Sequence, residues 1–215
     1  TQISIFTASL AIFKTLEQEK GIDLLKTNVM LGHSLGEYSA LASSKKLSLQ
    51  DCSLLLKKRG ELMNNAISPN ITGMAAVIGC NASEVDNIIS KNILNLEIAN
   101  DNSPIQVVVS GNNNELEKSK DIFLNNGVKK FVKLNVSSAF HSQFMNEAQS
   151  KLYDDIDNIK MQENNVKIIS NYSAQISENI STIKNSLKNQ MANKVRWTES
   201  ILKLESIGEK NIIEI

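Results

Sequence analysis

Apolar residues follow two rhythms along this chain, a three-to-four-residue recurrence and short unbroken runs, and the alternation between them predicts the elements. Phe6, Leu10, Phe13 and Leu16 recur at helical spacing, so residues 4–19 read as a helix that Gly21 is placed to end. A short apolar strand and a sharp turn follow at 28–34, then a helix from Leu35 to about Ser44. Ser48-Leu49-Gln50-Asp51 resembles a capping box with Asp in place of Glu, opening a helix to about Ala66. Cys52, Leu55, Leu56, Leu62 and Met63 share one face of it.

After a linker-like Pro69 to Gly73 the rhythm changes. Met74–Ile78 reads as a strand, Ser83–Lys91 as a helix, and Leu94–Ala99 and Gln106–Ser110 as strands around the turn Asp101-Asn102-Ser103-Pro104. Glu115–Asn126 reads as a helix closed by Gly127, and Lys129–Leu134 as a strand. The order βαββαβ is that of a ferredoxin-like unit. Beyond it, Met145, Ala148, Leu152 and Ile156 predict one amphipathic helix. Val166–Ser170 and Asn211–Ile215 read as strands, and Ile183–Met191 and Trp197–Ser206 as helices. The expected fold is α/β: a mostly parallel sheet flanked by helices, an α/β-hydrolase-like body of residues 1–70 and 136–215, with residues 71–135 as an inserted ferredoxin-like subdomain.

Composition narrows the function classes. The 215 residues, 41% of them hydrophobic, suffice for a proper core. Twenty-three basic residues balance 23 acidic ones and no basic block stands out, which argues against nucleic acid as a partner. No apolar run approaches the ~20 residues of a membrane helix, and no signal peptide is visible, so a cytoplasmic protein is expected. Cys52 and Cys80 lack metal-ligand spacing, and two scattered histidines make no zinc site; no metal or cofactor is expected. The chain opens without methionine and closes on the strand-like Asn211–Ile215, so it is expected to be a fragment lacking both ends.

The candidate chemistry centres on Gly32-His33-Ser34-Leu35-Gly36, a G-x-S-x-G pattern between a strand and a helix. A serine on such a turn has a strained backbone, and flanking glycines let two backbone segments pass closely. The turn exposes the hydroxyl and places the Leu35 amide at a helix N-terminus, where a developing oxyanion is stabilised. A serine needs a base. His33 leaves the turn in another direction and is read as supporting it; His141 is the remaining candidate, either catalytic or structural. No acidic residue is singled out as its partner, so a backbone carbonyl or amide side chain is expected to orient it. Arg59 points with Leu55 and Met63 on the apolar face of its helix. It either snorkels outward or binds an anion, and its planar fork suits a carboxylate.

Gly32-His33-Ser34-Leu35-Gly36-Glu37-Tyr38, Arg59-Gly60 with Met63, Ala139-Phe140-His141, and Gln190 with Val195-Arg196-Trp197-Thr198 resemble, in order and spacing, the malonyl-CoA:acyl carrier protein transacylase family. Glu97 to Pro104, Gln106 to Gly111, and Thr1-Gln2 leading into Thr7-Ala8-Ser9 are also similar to it, so the resemblance covers the whole chain. A Gly-Gln-Gly-like turn that opens such proteins, and a Gly-Pro-Gly near their end, have no counterpart here.

The resemblance implies that Ser34 takes a malonyl group from malonyl-CoA as an ester, that His141 moves the proton, and that Arg59 holds the free carboxylate. It implies that Gln190 helps fix the histidine, the alternative being an ordinary surface amide. Phe140 would fill the room an α-methyl branch requires, and Asn100 and Asn102 would edge the cleft or simply form a turn. The implied partners are malonyl-CoA and the phosphopantetheine arm of acyl carrier protein, with a monomer expected. Three rivals stand beside fatty-acid synthesis: a discrete polyketide acyltransferase, a serine esterase with no use for Arg59, and a non-catalytic binding fragment.

Overall fold

The structure, a computed structural model, describes residues 2–21 and 27–215. Two compact units make up the chain, one of residues 1–60, 152–188 and 199–215, the other of residues 61–151 and 189–198.

In the first unit, α1 (Gln2–Lys20) buries Phe6 and Phe13 and packs on α2 (Leu35–Ser43). It ends at Gly21, whose φ of +61° is a left-handed value that glycine adopts without cost. Strand β1 (Val29–Met30) runs parallel to β6 (Lys167–Ile169), with Val29 opposite Lys167 and Met30 opposite Ile168. Strand β7 (Ile176–Ser177) lies antiparallel on β6. Tyr38, Leu41, Leu47, Leu56 and Ile168 are buried, each apolar side chain contributing about 1.5–3 kcal/mol. Lys46 is buried as well; its Nζ donates to the carbonyls of Asn164 (3.0 Å) and Glu178 (3.3 Å), and burial lowers its pKa.

α3 (Leu49–Asn65) begins where expected, although the cap works differently from a reciprocal box. Ser48 Oγ accepts the Asp51 N–H at 3.0 Å and donates to the Asp51 carboxylate at 2.7 Å. α8 (Ile180–Lys188) starts three residues before its expected position because Asn179 Oδ1 accepts the Thr182 N–H at 3.0 Å, as an N-cap does.

In the second unit, β2 (Thr72–Ile78), α4 (Ala82–Lys91), β3 (Leu96–Ser103), β4 (Gln106–Asn112), α5 (Asn113–Asn125) and β5 (Lys130–Lys133) follow in that order. The sheet order is β5-β2-β4-β3, antiparallel throughout, with β8 (Val195–Arg196) added parallel to β3. Alternation along the strands fills two faces. Ala75, Val77, Val107 and Val109 meet Val85, Leu116 and Phe123, while Met74, Ala99 and Val108 point the other way.

The sheets are mixed, contrary to the mostly parallel sheet expected. The reason is connection length: β6 to β7 and β3 to β4 are joined by short turns, which only antiparallel neighbours permit. The helix expected through 145–156 is divided into a 3-10 turn at Gln143–Met145, α6 (Asn146–Ser150) and α7 (Tyr153–Asn158). α9 (Trp197–Ser206) matches its expected span. Residues 211–215, expected as a strand, have no regular secondary structure and are exposed.

Candidate active site

In the first unit the chain between β1 and α2 turns at Ser34, which has φ 52° and ψ −106°. An L-residue held there costs about 1–3 kcal/mol, so neighbouring contacts must enforce it. Gly32 is one of them: a Cβ added there would lie 2.1 Å from the carbonyl carbon and oxygen of Gly36. Gly36 itself has open space where a Cβ would go, so close approach demands only the first of the two glycines. Leu35 opens α2, which puts its amide at the positive end of that helix.

Arg59 does not snorkel. It is 1% exposed, and its guanidinium donates from Nη1 to Gln2 Oε1 at 2.7 Å and from Nη2 to Ser34 Oγ at 3.0 Å. Its plane sits over the Tyr38 ring, 5.4 Å from the centroid. Burial, the largest influence, lowers the guanidinium's pKa; the charges of Tyr38 and Glu37 oppose the shift. Burial likewise pushes the Tyr38 phenol up, with Arg59 opposing. Two chemical consequences follow. Ser34 Oγ accepts a hydrogen bond from this cation, which stabilises negative charge developing on that oxygen. The same fork can meet a carboxylate carried by an acyl group on Ser34.

In the second unit His141 has φ +54° and is buried. Its Nδ1 lies 3.1 Å from the Gln190 carbonyl oxygen and 3.2 Å from that of Asn193. Carbonyls only accept, so Nδ1 carries the hydrogen, and in the neutral ring Nε2 holds the lone pair that a general base uses. Gln190 is buried in the turn after α8 and is no surface amide. Its main-chain carbonyl faces the ring. The loop carrying His141 is pinned by its neighbours: Ser110 Oγ donates to Phe140 O (2.7 Å), Ser142 Oγ to Ala139 O (2.6 Å), and Ala139 N–H to Thr72 Oγ1 (3.1 Å). Gln149 Oε1 accepts the Ala192 N–H at 2.9 Å and steadies the carbonyl-bearing turn.

Phe140 is half-buried and packs beside Met74, Ala99 and Val108. Asn100 and Asn102 do not sit in a turn. β3 runs through both to Ser103, with register shifts at Ile98/Asn100 and Asp101/Ser103, and Asn100 lies opposite Val108 on one side and Val195 on the other. Between them Asp101 Oδ1 accepts from Thr198 Oγ1 at 2.7 Å.

Sequence reasoning missed Gln2, Gln149, Asn171 and Asn193 as site-forming residues. Asn171 had the clearest signal, a polar residue just past the strand that begins at Val166; Gln149 reads as the polar face of the helix expected through 145–156, and Gln2 and Asn193 stand in no apolar pattern. Cys52 and Cys80 are free and buried, and burial raises both thiol pKa values. Among the described residues no trio of His, Cys, Asp and Glu is placed to hold a metal ion, and no helix is long and apolar enough to cross a membrane.

Residues 1–215 match the family described as the acyl transferase domain. The chain is similar to the malonyl CoA-acyl carrier protein transacylase of Bacillus subtilis, 36% identical over 219 residues covering 100% of this chain and 67% of the relative. It is 37% identical over 217 residues to the polyketide biosynthesis protein PksE of the same organism, covering 100% of this chain and 27% of that protein. The solved malonyl CoA-acyl carrier protein transacylase of Coxiella burnetii superposes with a TM-score of 0.90 at 32% identity, over 97% of this chain and 66% of that one. A malonyl-transacylase solved in complex with a type II PKS acyl-carrier protein gives 0.89 at 30% identity, over 97% and 67%. The chain therefore spans about two thirds of these transacylases and a smaller share of PksE.

Proposed function

Since the chain belongs to the acyl transferase domain family, we propose that it carries out malonyl transfer from malonyl-CoA to the phosphopantetheine thiol of an acyl carrier protein, in fatty-acid biosynthesis. Ser34 Oγ attacks the thioester carbonyl while His141 Nε2 takes the hydroxyl proton. The tetrahedral oxyanion is met by the Leu35 amide at the start of α2. It collapses to the malonyl ester of Ser34 as the imidazolium gives its proton to the departing sulfur, so coenzyme A leaves as the thiol and His141 returns to the neutral base. In the second half the carrier thiol gives its proton to His141 and attacks the ester; Ser34 leaves as alkoxide and recovers that proton. No proton is gained or lost over the cycle.

The observation that carries this reading is the Arg59–Ser34 contact. A buried guanidinium on the nucleophile's oxygen suits an acyl group with a free carboxylate, and a simple esterase has no need of it. Phe140 disfavours an α-branched acyl group by about 1–3 kcal/mol per methyl, and Asn100 and Asn102 edge the acyl site. We further assign Gln190 to holding the His141 tautomer, a ferredoxin-like form to residues 71–135, an α/β-hydrolase-like form to the body, and a monomeric cytoplasmic protein as the working state. The similarity to PksE and to a transacylase bound to a polyketide carrier favours polyketide carriers as the second reading. Mixing the malonylated protein with carrier or with water alone decides between transferase and esterase: the ester moves to the carrier thiol and persists without it. Equal loss of the ester in plain buffer would count for the esterase.

A further inference from the structure

We infer that Asn171 is a positioning residue for the nucleophile, acting through the backbone of Ser34; this rests on Ser34 being the nucleophile proposed above. Asn171 is buried and lies two residues past β6, the strand that runs parallel to β1 with Ile168 opposite Met30. Parallel exit from the sheet brings it beside the turn. Its Oδ1 accepts the Ser34 N–H at 2.5 Å and its Nδ2 donates to the Gly32 carbonyl at 2.7 Å. Its own backbone N–H donates to Glu37 Oε2 at 3.2 Å, one turn into α2. One residue thus ties the strand side of the turn, the serine and the helix after it.

The chemistry of the bridge selects asparagine. The Ser34 N–H can only donate and the Gly32 carbonyl can only accept, so the bridging side chain must present one acceptor and one donor about two bonds apart. A carboxylate offers two acceptors and faces the Gly32 oxygen with a second oxygen. An aliphatic side chain offers neither group and leaves a buried N–H and a buried C=O without partners. The bridge also commits the Ser34 N–H, so that amide is not a donor to the oxyanion, a role left to the next residue. Ser34 keeps φ 52° and ψ −106° with the peptide unit before it held by Asn171 and the one after it held by the Glu37 N–H, which donates to the Ser34 carbonyl at 3.2 Å.

The test uses the full chain carrying Asn171→Ala and Asn171→Asp. A fluorophosphonate is followed onto Ser34 by intact mass, recording the rate constant and the final labelled fraction separately, beside the thermal midpoint. Both variants are expected to label about 10- to 100-fold more slowly with the final fraction still complete, since a misplaced hydroxyl reacts slowly on every molecule. Parental rate constants in the variants, with only the labelled fraction or the midpoint reduced, would mean a purely structural amide and overturn the inference. If Asn171→Ala does not fold, the nearly isosteric Asn171→Asp carries the comparison. A parent chain that takes the fluorophosphonate but not malonyl-CoA, with the variants still slow, sinks the malonyl reading and leaves this one standing. A parent whose Ser34 takes neither reagent overturns both.

Discussion

At Gly32 and Gly36 the same residue type meets opposite constraints. A methyl at position 32 runs into the Gly36 carbonyl at 2.1 Å, and one at position 36 meets nothing within 4 Å. Gly32→Ala is expected to cost more than about 1 kcal/mol in urea unfolding and to deform the Ser34 turn. Gly36→Ala lies inside α2, where alanine is favoured by about 0.8–1.0 kcal/mol, so it should leave stability unchanged or raised. Equal losses from the two would contradict the geometry. Arg59 shows how far a residue can be read before its surroundings are known. Its place on an apolar face announced an anion or a snorkelling stem, and burial with Nη2 on Ser34 removes the second option. Its other acceptor could not be foreseen, because Gln2 lies 57 residues away with no pattern to mark it.

Elements with a strong local signal were legible to within a few residues. α4 is an example: Asn81 Oδ1 accepts the Glu84 N–H at 3.0 Å and Glu84 Oε2 accepts the Asn81 N–H at 2.8 Å, a full capping box. Asn81→Ala should cost about 1 kcal/mol in the second unit, read from its denaturant midpoint. A loss below a few tenths of a kcal/mol would show the cap to be idle. What stayed illegible was short or non-local. β7 and β8 have two residues each and gain their identity only from a neighbour strand. β3 continued past its expected end through Asn100 to Ser103 because β4 and β8 satisfy its backbone on both sides, overriding the turn preference of asparagine and aspartate. The histidine-holding turn follows the same logic: its carbonyls at 190 and 193 are main-chain groups, which side-chain spacing does not announce.

At the scale of the whole molecule, buried ionisable groups set how stability responds to pH. Burial, assisted by the charge of Asp51, pushes the Cys52 thiol up to about 12 from an ordinary thiol value of 9.0. The folded chain therefore keeps a proton that the unfolded chain releases. Stability from this group is complete below pH ~9 and is lost as pH rises towards about 12. Cys52→Ala should flatten that part of the stability curve, and an unchanged slope would remove Cys52 as a cause. The same burial predicts that a thiol reagent at pH 8 labels Cys52 only once the chain is unfolded.

The central claim is that Ser34 and Arg59 form one acyl site built for a carboxylated acyl group, and rapid-quench loading of the parent and of Arg59→Ala with malonyl-CoA and acetyl-CoA tests it most directly. Losing a charge-assisted pair worth about 1.5–3 kcal/mol should slow malonyl loading about 10- to 100-fold more than acetyl loading. Equal losses for both acyl groups would contradict the carboxylate clamp and reduce Arg59 to a structural cation.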